Sequence, residues 1–331
     1  MKTVLTGVKP THRAHIGNYL GAIRPAVSLA QNSDVQSYLF IADYHALTTV
    51  HDPKELKLMT HDLAATWLAA GLDPSRSVIY RQSDVPEIME LSWILSCFTP
   101  KGFMNRAHAY KARVQENQEK GQQDLDAGVS MGLYCYPVLM SADILVFDTD
   151  EVPVGEDQVQ HVEFARDIAG KFNHVYGDVI RLPKFVLKKD AKLIPGLDGR
   201  KMSKSYGNHI PLFEEEKKLR SLIMKIKTDS SLPTEPKDPT QSLIMDLYKE
   251  FATSQQVEAL SARYKTGIGW GEAKEELFQA VNQHLLKSRD AYTAYMNDTA
   301  KIEAILLEGA KKARMRARGV LDRVRKAIGL S

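Results

Sequence analysis

Apolar positions in the first half of the chain form two alternating patterns, short continuous runs and longer stripes with helical spacing. The continuous runs, which are typical of buried strands, lie at residues 3–7, 35–42, 77–82 and 184–187. The stripes between them repeat every three or four residues, as from Leu56 to Trp67. Because strands and helices alternate, the pattern predicts a doubly wound α/β fold with a parallel, Rossmann-like sheet.

Local signals place several helix boundaries. Asp52, Pro53 and Glu55 are the residue types favoured at the N-cap, first and third positions, so a helix should begin at Pro53. Pro25 falls within the first helical stripe and predicts a kink or break there. Further helices are expected at residues 86–97, 131–147 and 156–172.

The composition changes twice along the chain. Residues 101–130 are largely polar and include several basic side chains, which predicts a helical insertion in the α/β core. After Asn208 the strand patterns vanish. Helical patterns follow at residues 214–226, 241–251, 256–264, 270–298 and 299–328. We therefore expect one domain of residues 1–205, which includes the insertion, and an α-helical domain of residues 206–331.

Composition excludes several classes of protein. None of the apolar runs in the 331 residues reaches the roughly 18 residues of a transmembrane helix. The N-terminus lacks the apolar segment of a secretion signal, so we expect a cytoplasmic protein without membrane contact. The two cysteines, Cys97 and Cys135, are isolated, which argues against a zinc site or a disulfide. Both should be small buried side chains.

Basic residues concentrate near the C-terminus. Residues 301–331 contain nine Lys or Arg and three Asp or Glu, although the net charge of the chain is only +3. A basic helix would suit the phosphates of RNA. Taken alone, it is more often a solvent-exposed helix.

Candidate chemistry begins with LIPGLDGRKMSKSYGN, residues 193–208. Lys201 and Lys204 bring two ammonium groups close to the hydroxyls of Ser203 and Ser205. Glycines around them permit a mobile loop that could close on a polyphosphate. Alone, this segment is better explained as a solvated basic loop.

A second segment, near the N-terminus, supports a functional role for this loop. PTHRAHIGN, residues 10–18, follows the first strand and leads into a helix, an arrangement that forms phosphate sites in α/β folds. His15 and Thr11 are suited to donate hydrogen bonds to phosphate oxygens. The KMSKS residues follow about 185 residues later, and the two elements together are far more specific than either alone.

These two segments resemble the HIGH and KMSKS signatures of class I aminoacyl-tRNA synthetases, and the whole chain is similar to bacterial-type tryptophanyl-tRNA synthetases. The resemblance implies that ATP and L-tryptophan give tryptophanyl-adenylate and pyrophosphate, after which the acyl group passes to tRNA(Trp). It further implies that Mg²⁺ accompanies ATP, that the protein is a homodimer, and that residues 206–331 bind the tRNA anticodon.

The resemblance also assigns roles to individual residues. The expected catalytic residues are His15, Asn18, Lys201 and Lys204. The expected ATP-binding residues are Lys9, Pro10, Thr11, Gly17, Asn18, Lys111, Gly155, Glu156, Asp157, Leu193, Lys201, Met202, Ser203, Lys204 and Ser205. The expected tryptophan-binding residues are Leu5, His45, Tyr136, Met140, Asp143 and Gln158.

Two of these assignments have simpler alternatives. The loop VPVGEDQ, residues 152–158, matches the family segment that contacts the ATP ribose and the substrate ammonium. Acids at the start of a helix are also ordinary caps. Asp143 lies in an apolar stretch and, by resemblance, accepts the indole N–H. A buried aspartate is more commonly satisfied by a local cap or an arginine.

Other functions remain open at this point. A tyrosyl-tRNA synthetase shares both signatures, and the features that argue against it are Asp143 and the residue 152–158 loop. A small-molecule nucleotidyltransferase shares the HIGH-type turn but predicts neither KMSKS nor a helical C-terminal domain. A non-catalytic relative would act by binding RNA. Lys9 and His12 depart from the usual family sequence, which leaves room for specialisation.

Overall fold

The structure is a computed structural model that describes residues 1–11, 13–187 and 194–330. His12 and Leu193 lie outside the described residues, as does the side chain of Asp157. The ATP contacts predicted for Leu193 and Asp157 therefore stay predictions.

Five parallel strands form the central sheet, in the spatial order β3-β2-β1-β4-β5. The strands are β1 (Lys2–Val8), β2 (Val35–Ile41), β3 (Val78–Arg81), β4 (Glu151–Val154) and β5 (Lys184–Leu187). This order confirms the predicted doubly wound, Rossmann-like sheet. The sequence pattern missed β4, which was assigned to a loop. In this short strand only Val152 and Val154 are buried, too few for a recognisable run.

Helices cover both faces of the sheet. In the first half of the chain they are α1 (Ile16–Asn18), α2 (Arg24–Ala30), α3 (Asp43–Ala46), α4 (Pro53–Ala69), α5 (Glu87–Cys97), α6 (Lys101–Met104), α7 (His108–Glu119), α8 (Met131–Leu145) and α9 (Val159–Tyr176). Helices α6 and α7 confirm that the insertion is helical. Along β2, Leu39 and Ile41 join one apolar cluster while Tyr38 and Phe40 join the other, as expected for a sheet with two buried faces.

Several predicted boundaries agree with the structure. The Asp52 carboxylate accepts hydrogen bonds from the backbone N–H of Lys54 (2.8 Å) and of Glu55 (3.2 Å), so it caps α4 as expected. The break expected near Pro25 takes the form of a π-helical segment, Tyr19–Ile23, directly before α2.

Five helices follow the KMSKS loop. They are α10 (Glu216–Met224), α11 (Leu243–Tyr248), α12 (Ser254–Thr266), α13 (Trp270–Asn297) and α14 (Thr299–Ile328). Helix α13 packs against α4, whereas α14 returns to the sheet and packs against β3 and α5. The division at residue 205 stays a prediction. None of the helices in the described part of the chain combines the length and apolar character needed to cross a membrane.

The basic residues of α14 are largely directed at the α/β half of the protein. Arg314 and Arg318 each bind Glu87 on α5, with N–O distances of 3.0 Å. Further along α14, Arg325 binds Glu90 (2.5 Å) and Arg323 binds Asp148 (2.6 Å). These arginines therefore hold α14 in place, rather than forming the free basic face that the sequence suggested.

The expectation that both cysteines are buried was wrong for Cys97, which is exposed on α5. Cys135 is partly buried. Apolar neighbours in sequence did not predict the outward face of α5, because burial depends on which face of a helix meets the sheet.

Helix α14 approaches β3 very closely at Gly309. A Cβ atom added there would lie 1.8 Å from the carbonyl oxygen of Ile79, whereas one added at Gly319 on the same helix would meet no atom within 4 Å. Only a glycine allows the helix backbone to lie against the strand at this point.

We expect Gly309→Ala to lower the free energy of unfolding by about 3 kcal/mol, because the methyl group overlaps the Ile79 backbone. The matched control, Gly319→Ala, should raise it by about 0.5–1 kcal/mol through helix propensity. Urea denaturation monitored by circular dichroism measures both. Equal stability of the two variants would contradict the close packing of α14 on β3.

Candidate functional site

A cavity of about 560 Å³ opens at the carboxyl ends of β1, β2 and β4. This is the crevice where the strand order reverses, the usual ligand site of an open parallel sheet. All six predicted tryptophan-binding residues line it, together with Lys9, Thr11, Asn18 and Gly155 from the predicted ATP set. The fold thus brings together residues from β1, α3, α8 and the start of α9.

Asp143 is the buried charge at the inner end of the cavity. It is completely inaccessible to solvent, and burial raises the pKa of its carboxyl group. The side-chain nitrogen of His45 lies 2.9 Å from its Oδ2 atom. The Gln82 amide nitrogen donates to both carboxylate oxygens, at 2.8 and 2.9 Å. Its protein partners are therefore a histidine and a glutamine, neither the local cap nor the arginine considered from the sequence.

Sequence reasoning missed Gln82. A signal was available, because Gln82 ends the third predicted strand, and polar residues at the carboxyl ends of neighbouring parallel strands meet at one edge of the sheet. Aromatic rings form the wall beside Asp143. The Tyr136 ring lies 6.2 Å from that of His45 and 5.5 Å from that of His161, between ring centroids.

His15 occupies the opposite end of the site. Its Nδ1 atom accepts a hydrogen bond from the backbone N–H of Asn18 (3.2 Å), and the backbone N–H of His15 donates to Asn18 Oδ1 (3.1 Å). Burial, then the charges of Lys204 and His209, lower the pKa of His15 to about 4. The ring is neutral at pH 7, and since Nδ1 is an acceptor, its proton is assigned to Nε2.

The two signature segments are in direct contact. The backbone N–H of Gly17 lies 3.3 Å from the sulfur of the buried Met202. A second cavity of about 550 Å³ lies between the segments. Its lining includes His15, Gly17, Asn18, Lys201, Met202, Ser203 and Ser205. Lys204 is half-buried beside it, and burial lowers the pKa of this lysine.

Asn208 anchors the KMSKS loop. Its Oδ1 atom accepts a hydrogen bond from the N–H of Ser203 (2.8 Å), and its Nδ2 atom donates to Asp198 (2.6 Å) and to the Lys201 carbonyl (3.2 Å). The bond from Asn208 is the main cause that lowers the pKa of Asp198 to about 2. A Cβ atom on Gly196 would lie 2.5 Å from Asn208, so glycine permits this packing. Sequence analysis did not predict this role for Asn208.

Not all predicted ATP-binding residues reach these cavities. Lys9 does, and its ammonium donates to the hydroxyls of Thr49 (2.8 Å) and Thr48 (3.3 Å). Lys111 instead lines a separate depression on α7, and Glu156 is exposed. Pro10 is buried beside the first signature. Among the described residues there is no cluster of three or more His, Cys, Asp or Glu side chains that could hold a metal ion.

Comparison with known proteins identifies the family. The family model described as class I tRNA synthetases (W and Y) matches residues 1–286. The tryptophan–tRNA ligase of Neisseria meningitidis is 53% identical over 329 residues, which cover 99% of this chain and 98% of the relative. The chain belongs to the tryptophan–tRNA ligases. The tryptophan–tRNA ligase of Pseudomonas aeruginosa is 52% identical, over 99% of this chain and 73% of its own length.

Solved structures of tryptophan–tRNA ligases agree with this membership. The tryptophanyl-tRNA synthetase of Campylobacter jejuni, solved with ADP and tryptophan, superimposes with a TM-score of 0.90 at 42% identity, over 99% of this chain and 100% of that one. The enzyme of Mycoplasma pneumoniae superimposes with a TM-score of 0.79 at 29% identity, over 100% and 98% of the two chains. The Rossmann-like core and the helical C-terminal half therefore follow the family.

We expect the ring signals of His15 to titrate near pH 4 in histidine-labelled protein, far below the usual value of about 6.5. Burial of the ring and the nearby ammonium of Lys204 disfavour the protonated form. A nuclear magnetic resonance titration measures this, with His15→Gln to assign the signal. A midpoint between pH 6 and 7 would contradict the neutral state of His15 in the folded protein.

Proposed function

We propose that the protein activates L-tryptophan with ATP at this site and transfers the tryptophanyl group to tRNA(Trp). Its membership of the tryptophan–tRNA ligases carries the reaction. The observation that supports tryptophan as the substrate is the acceptor Asp143 within an apolar cavity, which shares Asn18 with the cavity between the two signature segments. The indole of tryptophan is an apolar ring with a single N–H donor, which fits an apolar cavity lined by the fully buried carboxylate of Asp143.

In this proposal the cavity of about 560 Å³ holds the amino acid. The indole lies between the Tyr136 and Met140 side chains and donates its N–H to Asp143. Gln158, at the mouth of the cavity, receives the α-ammonium group, since an amide oxygen is a suitable acceptor. This leaves the α-carboxylate directed toward the end of the site where His15 and Asn18 lie.

Activation then needs no nucleophile from the protein. A carboxylate oxygen of tryptophan attacks the α-phosphorus of ATP, the bond from that phosphorus to the bridging oxygen breaks, and pyrophosphate leaves. The neutral His15 ring donates from Nε2 to a phosphate oxygen. Lys201 and Lys204 stabilise the negative charge that moves to pyrophosphate, and the N–H groups of the loop assist.

Mg²⁺ accompanies ATP in this proposal because the charge of a triphosphate requires it. The phosphates themselves supply its ligands, and the ion neutralises part of their charge. Lys9, held by Thr48 and Thr49 at the cavity wall, adds a further cation near the adenylate.

The decisive test is amino-acid-dependent exchange of pyrophosphate into ATP, measured with tryptophan and with tyrosine. We expect exchange with tryptophan alone. Exchange with tyrosine would overturn the indole role of Asp143. The absence of exchange with both amino acids would favour a non-catalytic relative, and binding of tRNA would then be measured.

Two substitutions should separate the two ends of the site. Asp143→Ala should lower kcat/KM for tryptophan by about 10- to 100-fold with little change in KM for ATP, because it removes the indole acceptor. Lys204→Ala should slow adenylate formation by about 100-fold or more with little change in tryptophan affinity. Single-turnover activation and equilibrium dialysis measure these quantities. Equal losses for both substrates in Asp143→Ala, or unchanged activation in Lys204→Ala, would contradict the assignments.

We further propose that the protein is a homodimer that uses the outer face of α5. Trp93 is 72% exposed and Met89 43% exposed, and the exposed Cys97 continues the same face at intervals of four residues. An exposed apolar face of this kind is typical of an interface between subunits. Binding of the tRNA anticodon by residues 206–331 and a cytoplasmic location also stay predictions.

We expect Trp93→Glu to convert the dimer to a monomer at micromolar concentration, because a buried carboxylate in an apolar interface is strongly unfavourable. Light scattering after size-exclusion chromatography measures the mass. The control is Leu58→Glu, at a leucine on α4 that is also exposed (59%). A wild-type monomer, or a dimeric Trp93→Glu variant, would exclude α5 as the interface.

A further inference from the structure

The hydrogen bonds around Asp143 are unevenly distributed. Gln82 Nε2 lies 2.8 Å from Oδ1 and 2.9 Å from Oδ2, and His45 Nε2 lies 2.9 Å from Oδ2 alone. Gln82 and Asp143 are both 0% exposed. Asp143 lines the large cavity, whereas Gln82 is not among the residues that line it. Gln82 therefore acts on a ligand through the residues that it contacts, of which Asp143 lines the cavity.

The orientation of the Gln82 amide is fixed by the backbone. Its Oε1 atom accepts a hydrogen bond from the N–H of Tyr44 (3.1 Å), so the NH₂ group must face Asp143. The turn that contains Gln82 is also tied to α3, because the backbone N–H of Ser83 donates to the Asp43 carboxylate at 3.0 Å. The donor that faces Asp143 is thus held by the ends of β2 and β3.

A carboxylate has about four acceptor positions, two on each oxygen. Gln82 occupies one on Oδ1 and one on Oδ2, and His45 occupies the second on Oδ2. Among the residues that the structure describes, these donors leave one position, on Oδ1. We propose that Gln82 is a positioning residue that sets the specificity of the site, by fixing the Asp143 carboxylate so that this single Oδ1 position faces the ring N–H of the substrate. This inference rests on the proposed activation of tryptophan.

Methionine is similar in length to glutamine but has no side-chain N–H. In Gln82→Met, therefore, His45 is the one that remains of these two donors to Asp143. The carboxylate is then free to rotate, or to take up a proton and become a donor itself. In both cases the Oδ1 acceptor is no longer held in a fixed direction toward the ring N–H. The preference of the site for a ring that carries an N–H should fall as a result.

The experiment compares tryptophan with β-(1-benzothiophen-3-yl)alanine, a similarly shaped amino acid in which sulfur replaces the ring N–H. Pyrophosphate exchange gives kcat/KM for each amino acid. The wild-type protein should prefer tryptophan by about 10- to 100-fold. In Gln82→Met this preference should fall by about tenfold or more, mainly through KM for tryptophan. The values of kcat and of KM for ATP should stay within about threefold, since no ATP-binding group changes.

Ser83→Ala is the matched control. Ser83 lies in the same turn, but its hydroxyl donates to Asp43 and not to Asp143. Its loss should leave the preference for tryptophan unchanged. If Gln82→Met does not fold, Gln82→Asn withdraws the amide by one methylene and should reduce the preference in the same way.

The outcomes separate this inference from the proposed function. Wild-type protein that exchanges with neither amino acid, or that does not prefer tryptophan, would contradict the Asp143–indole contact itself. A wild-type preference that persists in the folded Gln82 variant would overturn only the role of Gln82. Equal losses for both amino acids would also overturn it, because they would indicate a general structural defect.

Discussion

The arrangement of the site depends on a short piece of backbone pairing between two segments far apart in the chain. The N–H of Ile16 donates to the carbonyl of Ile210, and the N–H of Leu212 donates to the carbonyl of Ala14, both at 2.9 Å. All of the α/β half that follows β1 lies between these segments as a closed loop. The entropy of closing such a loop must be offset elsewhere, and the two apolar clusters on the faces of the sheet do so.

This pairing gives the site two chemically opposite ends. Near the junction are groups that donate hydrogen bonds, namely the neutral ring of His15 and the ammonium group of Lys204. At the inner end lies the carboxylate of Asp143, which can accept a further hydrogen bond. A substrate with an anionic group at one end and a single ring N–H at the other matches both. In the proposed function, the direction of tryptophan in the cavity therefore follows from hydrogen-bond polarity as well as from shape.

Much of the fold could be predicted from local patterns. Four of the five strands and the five C-terminal helices follow from the spacing of apolar residues, and Asp52 was identified correctly as a cap because capping is a local interaction. Strand β4 was not predicted, because it buries only two side chains. The predicted tryptophan-binding residues lie around one cavity, in agreement with the family resemblance. The spacing of apolar residues alone would not have identified them.

The remaining features depend on contacts between distant segments, and for that reason no local pattern predicted them. Gln82 and Asn208 act by holding other residues, and their partners are known only when the fold is known. The arginines of α14 looked like a free basic surface because Glu87, Glu90 and Asp148 lie far from them in sequence. A count of basic residues along the sequence therefore says little about the charge at the surface, because acidic residues from distant parts of the chain can pair with them in the fold.

The packing of α14 against β3 also has a consequence for biosynthesis. Strand β3 is at the edge of the sheet, and an uncovered edge strand offers unpaired backbone groups to any neighbouring chain. The helix that covers it contains residues 299–328, which leave the ribosome long after the strand itself. Until that helix has been made, the nascent sheet therefore has an open side, and the segment that completes its protection against aggregation is synthesised long after the strand that it covers.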